Sequence, residues 1–200
     1  MEPTIYKPSI YKGAGIYKNG AAGGGGNNSV IAMTDLKPLL MPDGREWTTI
    51  NLDVCFYGTA FGAVNQDTSM QTSAPLEIES YITACGLAYN AKVVDYIHTN
   101  KATICPGWDV PVKSELENLV TACGGNNNGL KDAGFNPIDN ARVYSNGQWD
   151  LASDGTYIWS RSSWHPDFNF ALYTKYTGGY TTVREEYRSS LFYIRLIKEL

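Results

Sequence analysis

The sequence predicts an α+β domain with a short antiparallel sheet and one or two helices, preceded by an extended N-terminal segment. Three observations predict it. Leu116, Leu119, Val120 and Cys123 recur at i, i+3, i+4 and i+7, the spacing that places side chains on one helical face. The last fifty residues break instead into short strand-like runs separated by turn-forming residues. Helical signals precede strand signals and do not alternate with them, which is the α+β order. The opening "TIYKPSIYKGAGIYKNGAAGGGG" differs from both: it is too poor in apolar surface to offset its own chain entropy.

Taken in order, residues 1–28 form a leader. Ile-Tyr-Lys occurs three times, at Ile5, Ile10 and Ile16, before the glycine run. It reads either as a disordered leader with Gly20–Asn28 as a flexible linker, or as an attachment peptide for a virion or fibre component through residues 1–26, each Ile-Tyr pair filling a pocket or adding to a sheet edge. Residues 29–200 read as the globular domain. "MPDGREWTTINLDVCFYGT" has a turn at Asp43-Gly44 followed by a strand-like stretch to Gly58, and residues 61–75 read as loop. Leu87, Val93, Val94 and Ile97 suit a helix late in "LEIESYITACGLAYNAKVVDYIHTN". "PVKSELENLVTACGG" is a short amphipathic helix, with Ser114 and Glu117 as the expected capping box and Gly124-Gly125 as the stop. Residues 157–160, 170–176, 180–187 and 191–197 are the candidate strands, with Gly178-Gly179 as a hairpin signal. In "LFYIRLI" both alternating faces are apolar apart from Arg195, so this strand is expected at the centre, buried on both sides.

Two hundred residues suffice for a core without disulfides or metals. The net charge is -4, with no basic stripe for nucleic acid, and no apolar run long enough for a signal peptide or membrane insertion. Assembly in a cytoplasm is expected. Cys55, Cys85, Cys105 and Cys123 lack CxxC spacing and are expected to be reduced, structural residues; no cofactor or metal is called for. Charged residues make up only 18%. Gly, Asn, Thr, Ser and Tyr supply the polarity instead, as in paratope loops.

Catalytic patterns are missing. His98 and His165 are the only imidazoles. His98 falls in a helical stretch as a satisfied or surface residue, and His165 with Ser162, Ser163 and Asp167 is adjacency in sequence, not a triad. Glu185 and Glu186, as neighbours on a strand, point to opposite faces and cannot flank one bond. With no P-loop, GxGxxG or HExxH, the chain is not read as an enzyme.

"WSRSSWHPDFNFALYTKYTGGYTTVREEY" (159–187) is where aromatic side chains concentrate. Trp159 reads as core. Trp164 to Asn169, around Pro166, reads as loop. The rest is either a second core face or a displayed one, since large amphipathic rings give contact area at low entropy cost. The displayed reading places Arg161, Trp164, His165, Asp167, Phe168, Asn169, Tyr176, Tyr180, Thr182, Arg184 and Glu186 together as a ligand-binding face within 159–190, held by Trp159, Ala171, Tyr193, Ile194 and Arg195 beneath.

Five motifs then resemble, in order, those of a C-type-lectin-like family of phage tail-fibre tips and bacterial surface proteins, related to the Fibrobacter-type major paralogous domain. "CPGWDVPVKSELENLV" resembles Cys-Pro-x-Gly-Trp-x-x-Pro-[Thr/Ser]-x-x-Glu-[Trp/Phe] through Cys105, Pro106, Gly107, Trp108, Pro111 and Glu115, one residue shorter between Pro and Trp. "DGREWTTINL" resembles the family's Gly-x-x-Trp-x-x-x-Asn-Leu through Trp47, Asn51 and Leu52, and "YIWSRSS" its Tyr-x-Trp-Ser-[Ser/Thr]-Ser through Trp159, Ser160 and Ser162. "ALYTKYTGG" and "FYIRLIKE" resemble its ending through Ala171, Gly178, Tyr193, Ile194 and Arg195. The resemblance covers about residues 44–200.

The resemblance implies a C-type-lectin-like domain whose segment from the Trp-Ser motif onward is the kind written by diversity-generating retroelements. It implies a receptor-binding adhesin in a virion, at a tail-fibre tip, or alternatively on a bacterial cell surface. The implied partners are a host cell-surface protein or glycan and its own copies as a homotrimer. Calcium-dependent sugar motifs are absent, Gln148-Trp149-Asp150 being a near miss, and no Cys follows Cys123 as in formylglycine-generating enzymes. The competing function is a structural subunit whose aromatic face is an assembly interface.

Overall fold

The computed structural model describes residues 30–52, 60–61, 71–73, 87–137, 142–143, 149–150, 155–175 and 179–200. The leader, Cys55, Cys85 and Tyr176 lie outside the described residues. The protein is α+β. Antiparallel strands β1 (Pro38–Leu40), β2 (Glu46–Thr48), β12 (Ile197–Lys198) and β6 (Trp108–Asp109) form one sheet in that order. A second antiparallel sheet has β10 (Phe168–Lys175) between β9 (Gly155–His165) and β11 (Thr181–Tyr187). Smaller pairings join β3 (Ala60–Phe61), β4 (Gln71–Ser73) and β5 (Ala88–Tyr89), and β7 (Arg142–Val143) with β8 (Trp149–Asp150). Among the described residues the α-helices are α1 (Ala91–Ile104), α2 (Lys113–Ala122) and α3 (Asn127–Asp132).

The turn at Asp43-Gly44 is present. Gly44 has φ +80, and Met41 N donates to Arg45 O at 2.8 Å, closing β1 onto β2. Gly is favoured there because a side chain resists positive φ. The following strand is shorter than expected, with Thr48 its last residue.

Helices α1 and α2 sit on the β9–β10–β11 sheet, one per face. Alternate strand residues point to opposite faces. Tyr157, Trp159 and Ala171 share a cluster with Val93, Val94 and Ile97 of α1, whereas Ile158 and Leu172 share another with Leu116, Leu119 and Val120 of α2. The predicted apolar face of α2 is therefore a core face. Its cap is not the predicted one. Val112 occupies the N-cap and Glu115 is N3, with Glu115 Oε2 accepting from Val112 N at 2.8 Å. Ser114 and Glu117 are exposed, and Glu117 lies 3.6 Å from Lys113. Val112 has no hydroxyl for the exposed amides, so Ser162 Oγ of β9 accepts from Lys113 N at 2.9 Å instead.

Residues Leu191 to Ile197 are all buried, as two apolar faces require. They do not form one strand, because their neighbours belong to different sheets. Phe192 exchanges backbone bonds with Tyr89 at 2.8 and 2.9 Å; Tyr193 bridges Ile158 in parallel; Leu52 N and Thr48 N reach Ile194 O and Leu196 O at 2.9 Å. A single extended segment thus ties three sheets together.

Within it, Arg195 is fully buried. Its guanidinium donates to Asn51 Oδ1 at 2.7 Å, Asn136 O at 2.7 Å and Phe135 O, and lies 4.3 Å from the centre of the Phe135 ring. Burial lowers its pKa to about 9, so it is still charged at neutral pH.

Candidate functional site

The far end of β9 and β10 is a hairpin closed by Pro166-Asp167 alone, since His165 and Phe168 already pair. The expected loop from Trp164 to Asn169 is therefore strand on both sides of a two-residue turn. Proline pre-sets the φ that the first central turn position needs, so Pro166 shapes a tight turn rather than a long loop.

Below the turn β9 carries extra residues. Ala171 pairs with Trp159, but Asn169 pairs with Ser163, and a further shift separates Asn169 from Phe168. The excess bulges toward the loop before α2. Arg161 N donates to Pro111 O at 2.9 Å, Arg161 Nε to Val110 O at 3.0 Å, and Ser162 N to Ser160 Oγ at 3.0 Å. Asn169 fills the remaining need: its Nδ2 donates to Ser160 O at 3.1 Å and its Oδ1 accepts from Arg188. Asn169 is completely buried, and so is not part of a displayed face. It secures the bulge. Arg161 likewise turns inward, 3.4 Å from Asp109 Oδ2.

Asp109 anchors this underside. It is buried, and His98 Nδ1 and Lys101 Nζ approach it at 2.8 and 2.9 Å. Hydrogen bonds to Glu199 and Asp109 raise the Lys101 pKa. His98 is thus a satisfied histidine, as its helical position suggested. Nearby, Arg45, Asp109, Glu115, Arg161 and Glu199 line a cleft of about 240 Å³. Its cations are committed to internal partners, Arg45 to Glu115 at 3.2 Å and Arg161 to Asp109. No cluster of three or more His, Cys, Asp or Glu suited to a metal occurs among the described residues.

The upper side of the hairpin is different. Trp164 is 59% exposed and Tyr187 55%. Between them Phe168 lies 6.3 Å from Trp164, nearly parallel, and 4.6 Å from Tyr187; His165 lies 5.6 and 5.7 Å from Trp164 and Phe168. Four rings form one continuous surface. Asp167 stands beside it, its carboxylate 3.5 Å from His165 Nδ1.

The remaining predicted residues form a separate flank. Phe168 pairs with Tyr187, Ala171 with Arg184 and Tyr173 with Thr182, so Thr182, Arg184 and Glu186 share the face opposite Phe168 and Tyr187. Arg184 lies 4.3 Å from the Tyr173 ring centre and donates to Glu186 Oε1 at 2.7 Å, leaving it half-buried. Tyr180 is exposed, its ring 6.4 Å from Tyr173. The single face of the displayed reading is therefore two patches, hairpin tip and strand flank. Tyr187 was not among the residues expected on the face; it joins the tip through its cross-strand pairing with Phe168 at the open end of the sheet.

The bulge makes a mutational prediction. Ser162→Ala should destabilise the protein by about 0.5–2 kcal/mol, the usual cost of losing an N-cap acceptor, as measured by urea unfolding. Ser162→Thr should retain most of the stability.

No protein-family model, no curated protein and no solved structure matches the chain.

Proposed function

We propose that this protein is a receptor-binding adhesin with a C-type-lectin-like fold, the tip of a phage tail fibre, and that its hairpin end contacts a host cell-surface ligand. The observation that carries the reading is the four-ring surface of Trp164, His165, Phe168 and Tyr187, exposed at the end of a sheet whose base is packed on both faces. Large rings left in water on a rigid hairpin are poor core residues and good contact residues. A specific interface of standard size covers about 800 Å² per partner and draws most of its energy from such aromatic anchors. The five-motif resemblance supports the same reading. So does the division of labour: buried Trp159, Asn169 and Arg195 hold the backbone, leaving outward positions free to change.

Sequencing sibling isolates tests it. Substitutions should concentrate at Trp164, His165, Asp167, Phe168, Tyr180 and Tyr187, while Trp159, Asn169, Ala171 and Arg195 stay fixed. An unchanged stretch from 161 to 187 in siblings that infect different hosts would instead mark an assembly interface, and the receptor-binding reading would fail.

A further inference from the structure

Resting on that reading, we infer that the hairpin tip selects a cationic partner: a protein segment on the host surface that presents lysine or arginine side chains. Around the sheet end every described cation is already engaged. Lys113 lies 3.6 Å from Glu117 and 4.4 Å from the Phe170 ring centre. Arg161 is held by Asp109, Arg184 by Glu186 at 2.7 Å, and Arg188 by Asp95 and Asn169.

The carboxylates are not balanced in the same way. Asp167 is 69% exposed at the side chain, and among the described residues its one counter-group is His165. Glu185 is exposed and has no partner among the described residues. Their positions matter as much as their charge. Glu185 pairs with Phe170 and shares a face with Tyr187, two residues and so about 7 Å along the strand. Asp167 stands in the turn beyond the Phe168–Tyr187 pair. The row of rings is thus bracketed by a carboxylate at the turn and another further down the strand.

Aromatic faces attract cations through the ring quadrupole, and the alkyl stem of Lys or Arg packs on the ring beside the charge. The protein already uses this contact internally, at Arg184 over Tyr173 and Lys113 over Phe170. Anionic surfaces, such as phosphate-bearing lipids or acidic polysaccharides, would face two carboxylates with no free cation among the described residues of the sheet end to meet them, an arrangement that disfavours them as partners.

The test uses the full chain labelled with ¹⁵N, with the Trp164 indole N–H resonance assigned through Trp164→Phe. Three probes are titrated at low salt: a capped peptide carrying four Lys and Arg residues spaced by Gly and Ser, the same peptide with Glu at those positions, and phosphatidylglycerol vesicles. The basic peptide alone should shift the Trp164 resonance, and the double variant D167N/E185Q should weaken its binding about three- to tenfold, the size of two exposed ion pairs. Equal shifts with the Glu peptide or the vesicles, or unchanged binding in D167N/E185Q, overturn the inference. Bacterial cell binding separates it from the receptor reading. Loss with Trp164→Ala but not with D167N/E185Q overturns the charge preference and leaves the receptor site standing. Basic-peptide binding at Trp164 in a protein whose cell binding survives Trp164→Ala supports the charge preference and removes the receptor site.

Discussion

Arg195→Met should lower the unfolding free energy by about 3–5 kcal/mol, because it takes the donor from three interior carbonyl oxygens at about 1–3 kcal/mol each. The guanidinium is fully buried and has neutral oxygens as its hydrogen-bond partners: Asn51 Oδ1, Phe135 O and Asn136 O. Its desolvation is offset by those bonds and by the Phe135 ring stacked 4.3 Å away. Met fills much of the volume but donates nothing. Each carbonyl left without a donor in the interior costs about 1–3 kcal/mol, so the loss comes from the acceptors more than from the charge. Arg195→Lys should fare little better, because one ammonium cannot reproduce a planar fork that spans three separate oxygens. Urea unfolding of both variants measures this. A loss under about 1 kcal/mol in Arg195→Met would mean that water satisfies the three oxygens and that Arg195 does not hold the segments together.

What could be read before the fold was known follows the range of the forces involved. The face of α2 was legible because Leu116, Leu119 and Val120 obey a local period that any core must respect. The burial of residues 191–197 was legible for the same reason: alternation with both faces apolar leaves no side for water. The helix cap was not, because the acceptor comes from Ser162, 49 residues away, and no local pattern announces a hydroxyl delivered by another strand. The same bulge misled the site. Thr182, Arg184 and Glu186, grouped in the displayed reading, do share one face of β11, but β9 carries extra residues, so parity counted along it does not carry over to β10. Asn169 therefore went inside, bound to Ser160 O and Arg188, while Trp164 and Phe168 emerged beside Tyr187. Its polarity suggested display, whereas its amide was needed to pair the backbone that the bulge freed.

Trp159→Ala and Trp164→Ala should separate sharply in thermal melts, although both are tryptophans on one strand five residues apart. Trp159 is fully buried, its indole Nε1 donating to Tyr89 O at 2.6 Å and its ring 4.5 Å from Phe192. Truncation removes that packing and leaves a cavity between the sheet and α1, costing about 3–5 kcal/mol. Tyr89 O still accepts from Phe192 N at 2.9 Å, so the cavity dominates the loss, not an orphaned carbonyl. For a chain of this size each kcal/mol moves the midpoint by about 2–4 °C, giving a fall of about 6–20 °C. Trp164 instead is 59% exposed, with ring contacts to His165 and Phe168 at the tip. Its truncation should stay within about 0.5 kcal/mol, as should that of exposed Tyr180. On the proposed receptor-binding role, binding should show the reverse order, with Trp164→Ala losing roughly 1–3 kcal/mol as an interface anchor does. The melts need no knowledge of the receptor and come first. If Trp164→Ala melts as early as Trp159→Ala, the tip rings support the fold, and they cannot serve as a freely variable contact surface.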